Sequence, residues 1–201
     1  MILAHTVHNN FNWFTPLLSI LVGLILGVCS EPLRKYLLRP ILRTTFTQDE
    51  NCICETPVNL PAGQEVFESH AKVVRFYVQN TRRFLAKSCR AYLIQIEKVT
   101  PTKTETIFAD RIPLDWAYIG ATAVDIPGHT GLYCDLVGAS QPSEQLRPHV
   151  NPMPKLLGNI LRDCATYRFK AIIAGENLTP QSININVAWK GTWDIQDVWQ
   201  N

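Results

Sequence analysis

The chain has 201 residues, room for one ordinary domain and an appendage, with 46% hydrophobic residues, 18% charged residues and a formal net charge of +2. These proportions exclude a disordered chain, a multi-span transporter and a disulfide-dense mini-protein, but they name no activity. The charge is unevenly placed. Residues 1–30 hold no Asp, Glu, Lys or Arg, so all 19 basic and 17 acidic residues lie beyond them, at about a fifth of that remainder.

The first element in chain order is the run Phe11 to Cys29, FNWFTPLLSILVGLILGVC, nineteen residues without a formal charge. A helix of that length spans about 28 Å, close to the roughly 30 Å hydrocarbon core of a bilayer. Ten Leu, Ile, Val or Phe residues follow Trp13 and favour insertion by roughly 3–6 kcal/mol in total. Trp13 suits an interfacial anchor on one side and Tyr36 on the other. The start, MILAHTVHNN, lacks the basic residues of a signal peptide, no A-x-A site follows, and Val28 before Cys29 is a poor lipidation site. The spacing therefore predicts a transmembrane helix over 11–30.

The flanks set its direction. No Lys or Arg precedes the run, whereas Arg34, Lys35, Arg39 and Arg43 follow it, which puts the N-terminus outside and the rest in the cytoplasm of the cell's inner (plasma) membrane. The expected organisation is a short extracytoplasmic N-terminus (1–10), the spanning helix (11–30), a basic juxtamembrane segment (31–43) and a β-sandwich (44–201). Trp13, Arg34, Lys35, Arg39 and Arg43 are the expected membrane-interface residues, and Pro40 should stop any helix that continues into this segment.

Beyond Ile41 the apolar pattern changes to period two. Val74, Phe76 and Val78, then Tyr167, Phe169, Ala171 and Ile173, then Ile183, Ile185, Val187 and Trp189 alternate with mostly polar partners, each series predicting a half-buried strand. Further strands are expected over 41–47, 86–98, 104–109 and 130–137, with weaker signals over 112–117 and 122–126. Thirteen prolines punctuate the chain. Seven to nine short strands around one core imply an antiparallel sandwich. The Pro-rich stretch 140–161, ending in KLLGNILRD, reads as a long surface loop closing in a short helix or turn.

The segment VRFYVQNTRRFLAKSCRAYL (Val74–Leu93) carries Asn80 at the end of an alternating strand, then Ala86, Cys89, Arg90, Tyr92 and Leu93. With Arg39-Pro40-Ile41-Leu42, Asp135-Leu136-Val137 and the ending VAWKGTW (187–193), it resembles uncharacterised prokaryotic proteins that have an N-terminal membrane helix and an immunoglobulin-like β-sandwich. The resemblance implies that architecture and no activity. The turn departs from the usual Asn-x-Gly pattern, with Arg82 in place of the glycine. Independently of the resemblance, Cys89, Ala91 and Leu93 share one face, Arg90 takes the other, and Asn80 can hydrogen-bond its own turn.

Catalytic signals are sparse. Six cysteines include one close pair, Cys52 and Cys54, whose spacing is not that of a zinc knuckle, so packed or exposed free thiols are expected. Asp115, Asp125 and Asp135 lie ten apart with His129 between the last two, a pattern that successive strand ends also produce. No nucleophile elbow, Walker loop, metalloprotease helix or dinucleotide turn occurs, so neither catalysis, cofactor nor metal is expected. Arg82, Arg83, Lys87 and Arg90 form a basic cluster, and with Trp193 and Trp199 they make the candidate partner surface. The mild net charge argues against nucleic acid. The sequence thus predicts a tethered interaction or scaffold module whose partners are the lipid bilayer and a protein. Its alternatives are an exported or lipid-anchored binding domain, a small-molecule-sensing effector, and an enzyme built on Asp125, His129 and Asp135.

Overall fold

The computed structural model describes residues 14–62, 65–117, 119–141, 145–157, 160–195 and 197–200. The chain forms two compact units, Met1–Arg39 and Pro40–Asn201. In the first, a single helix, α1, runs Phe14–Leu37. It runs on past residue 30, carrying Pro32 within it, and ends at Leu37, ahead of Pro40, where a helix continuing into the basic segment was expected to stop. Its continuous run of described side chains, 16–24, is exposed throughout. Among the described residues, no helix is long and apolar enough to cross a membrane. Trp13 and residues 1–10 lie outside the described residues, as do the side chains of Arg34 and Lys35.

The second unit is all β. Its strands are β1 (Leu42–Thr45), β2 (Ile53–Ala62), β3 (Glu65–Asn80), β4 (Ala86–Val99), β5 (Thr104–Phe108), β6 (Ile112–Pro113), β7 (Val124–Ile126), β8 (Gly131–Ser140), β9 (Arg147–Pro148), β10 (Ala165–Ala174), β11 (Gln181–Trp189) and β12 (Val198–Gln200). Every pairing is antiparallel. In the first sheet β3 is central, with β1 and β2 following one another along one edge and β8 then β9 on the other. In the second the order is β12-β11-β10-β4-β5, and the short β6 and β7 also pair with β4.

Alternation decides which faces meet. Val74, Phe76 and Val78 of the first sheet, and Leu93, Ile96, Phe169, Ile173, Ile185 and Val187 of the second, are essentially sealed from solvent and belong to one core. The three alternating series read from the sequence all bury the expected face, and Cys89, Ala91 and Leu93 do so too. One segment ties the sheets together. Ile112 pairs with Leu93 of the second sheet, whereas Leu114 and Trp116 bridge Val150 and Cys134 beside the first. Trp116 is the largest side chain enclosed this way.

Two expectations are corrected. The stretch 140–161 is largely irregular, with exposed residues over 151–156 and a turn at 155–157 as expected, but it is not confined to the surface. Leu146, Leu157 and Leu161 are fully buried in the core, because prolines exclude long strands but not apolar side chains from packing. Strand β2 was not expected, since Pro57 and Pro61 interrupt it. It pairs with β3 along an edge, where a missing backbone donor is tolerated. Phe76→Ala removes a fully buried ring shared by both sheets and is expected to cost about 3–5 kcal/mol, read as a lowered urea midpoint.

Candidate functional site

The basic cluster sits on the turn between β3 and β4. Asn80 builds that turn: its side chain is fully buried, its Nδ2 donates to Phe84 O at 2.6 Å and Ile126 O at 3.1 Å, and its Oδ1 accepts Arg82 N at 3.2 Å. The bond to its own turn is the one anticipated from sequence. Arg82 needs no glycine-like backbone; among the described residues, the non-glycine ones with left-handed φ are Ser88 (49°) and His129 (60°). The 127–130 turn presses against this one. His129 N donates to Arg82 O at 3.2 Å, and a Cβ on Gly128 would collide with the Arg83 backbone.

Arg82, Arg83 and Lys87 are exposed, with the Arg83 guanidinium 4.9 Å from the centre of the Phe84 ring. Arg90 is also exposed, and it lines an open groove with Ser88, Tyr92 and Glu176. The two tryptophans are not on this surface. Trp193 is half-buried against the core and its ring lies 6.3 Å from His70, and Trp199 is 40% exposed on the edge strand β12. Arg43 is exposed on β1, and Arg39 is exposed in the first unit.

The Asp125, His129 and Asp135 grouping does not form a site. Asp125 accepts Ser88 N at 2.8 Å, His129 caps the neighbouring turn, and Asp135 lies on β8 paired with Arg75. Asp115 and Asp135 do meet. Asp135 N donates to Asp115 O at 3.1 Å, because the crossing segment lies along the edge of β8.

Around them stands a polar cluster that periodicity concealed. Arg75 occupies the outward phase of β3, directly opposite Asp135, yet it is only 3% exposed. Its Nε donates to Asp135 Oδ1 at 2.9 Å. His149 follows β9, its backbone carbonyl accepting Asp115 N at 3.3 Å, and its Nε2 lies so close over Gly138 that a Cβ there would be 2.9 Å away. Asp115 Oδ1 is buried with no hydrogen-bond partner. Burial pushes the Asp135 carboxyl up, while Arg75 and then His149 pull it back, and burial holds the His149 imidazole below its ordinary 6.5. A groove of about 280 Å³ opens beside the cluster, lined by Thr56, Ala71, Val73, Gly138, Arg147 and His149 among others.

Cys54, Cys89 and Cys134 are poor nucleophiles. Burial raises Cys54, lifts Cys89 to about 11 and pushes Cys134 well above the usual range. Cys52, Cys54, Cys89, Cys134 and Cys164 are all unpaired, and Cys164 is exposed.

Breaking the buried ion pair from one side strands a charge. Arg75→Met is therefore expected to lose about 3–5 kcal/mol, and Arg75→Met with Asp135→Leu to recover most of it in a double-mutant cycle read by urea unfolding. A second outcome concerns pH. Because the folded state holds His149 below 6.5, the unfolded chain binds that proton more readily, so stability present above 6.5 is lost as the pH falls below it. Asp135, pushed up, acts in the opposite sense nearer its own range. Between about pH 7 and 5 the urea midpoint should fall in the native chain and fall less in His149→Gln.

No protein-family model matches the chain, and no curated protein matches it.

Proposed function

We propose that the chain is a membrane-anchored interaction module: α1 and its apolar approach hold it in a bilayer, and an immunoglobulin-like β-sandwich binds a protein partner in the cytoplasm. One observation carries the reading. Leu17, Leu18, Ile20, Leu21 and Leu24 are between 54% and 69% exposed on consecutive turns of α1, a broad apolar face that the protein leaves uncovered. An uncovered apolar face of that kind is suited to lipid rather than water. The charge-free run 11–29 and the basic residues 34–43 that follow support the same reading and its direction. The groove between β2, β3, β8 and β9 supports a binding role. No catalytic role is proposed, since Asp125 and Asp135 hold structural partners on separate strands.

The exposed thiol supplies the test. Expressed in bacterial cells, the full chain should stay with the membrane after carbonate washing, and a membrane-impermeant maleimide should label Cys164 only after lysis. Release by carbonate would overturn the anchor. Labelling in intact spheroplasts would place the β-domain on the outer side.

A further inference from the structure

We propose that the β3–β4 turn is a second contact with the bilayer: Arg82, Arg83 and Lys87 face anionic headgroups, and Leu85 dips between them. The inference rests on the membrane anchor proposed above and adds to it a docking face on the β-domain.

Three observations carry it. The first is position. The chain enters the β-domain at Pro40–Leu42, and Ile41 O accepts both Thr81 N at 2.9 Å and Thr81 Oγ1 at 3.0 Å, while Leu42 pairs with Asn80. The turn thus lies at the point where the chain enters the β-domain, and in sequence only Leu38 and Arg39 stand between the end of α1 and that point. The second is charge. Among the described residues Arg82, Arg83 and Lys87 enter no ion pair, whereas Lys98, Lys103 and Lys190 at the other end of the strands meet Asp163, Glu105 and Asp197. The nearby carboxylates of Asp125 and Glu176 take hydrogen bonds from Ser88 N and Oγ and keep their charge, so the four cations Arg82, Arg83, Lys87 and Arg90 outnumber them. The third is the apolar component. Leu85 is 38% exposed and Ile41 is 45% exposed on the same end. Cations ringing exposed apolar side chains match a headgroup layer over acyl chains. The turn is also preformed, because Asn80 and Gly128 fix its backbone.

The experiment uses the full chain in nanodiscs of phosphatidylcholine, with or without phosphatidylglycerol, in a Cys164→Ser background. An NBD probe at Leu85→Cys reports contact through quenching by doxyl lipids. Quenching is expected in the anionic discs, with the docked population falling about fivefold for each cation removed in Arg82→Gln and Arg83→Gln. Neither substitution removes a hydrogen bond of the turn, because Arg82 enters these through its backbone N and O and none uses either arginine side chain. A probe at Lys103→Cys, about 40 Å away along β4, should stay unquenched. Incorporation without quenching at 85 overturns the docking face while leaving the anchor intact. Equal quenching in both lipids, or at 103, overturns it as well. Failure of the chain to enter the discs overturns the anchor and the docking face together.

Discussion

The buried amide of Asn80 is the point on which the arrangement of the β-domain turns. It ends β3 in the first sheet, yet its side chain serves Phe84 on the way into β4 and Ile126 at the end of β7, both belonging to the second. Its own N donates to Thr130 O at 2.8 Å just before β8 begins. One small side chain thus satisfies three backbone groups from two segments, of which a buried one left unpaired would cost about 1–3 kcal/mol. Two sheets joined only by apolar packing can slide. An amide with directional bonds to both fixes where they meet, and with it the place where the chain enters and the shape of the basic turn.

At the opposite flank of the first sheet, polar groups play a comparable part. Arg75, Asp135, Asp115 and His149 come from β3, β8, the crossing segment and the residues after β9. Their mutual burial makes each dependent on the others, because a lone charge in that place is strongly disfavoured. The crossing segment serves both regions: Ile112 belongs to the second sheet, Trp116 fills the core, and Asp115 between them reaches the outer cluster.

Much of the fold was legible in the sequence. The alternation around Val74–Val78, Tyr167–Ile173 and Ile183–Trp189 read correctly because each strand buries one face, and period two is then imposed by the backbone itself. Cys89, Ala91 and Leu93 followed the same logic. The buried leucines of 140–161 and the strand β2 were missed for a shared reason. Proline reports on local hydrogen bonding, and burial of Leu146, Leu157 and Leu161 or pairing along an edge is decided by distant neighbours. The candidate site was half legible: the basic turn was visible as a run of charge, but Arg75 looked like any outward-facing strand residue.

By itself, the sequence determined the uncharged run, the basic flank after it, the antiparallel β character and the buried faces of the longest strands. These depend on local order, on which residues adjoin and at what period. Only the tertiary structure decided that Asp115 meets Asp135 while Asp125 does not, that His149 packs over Gly138, and that the Arg82–Lys87 turn stands beside the chain's point of entrance. Each depends on residues far apart in the chain being brought together, and sequence spacing does not encode such closures without the packing that makes them.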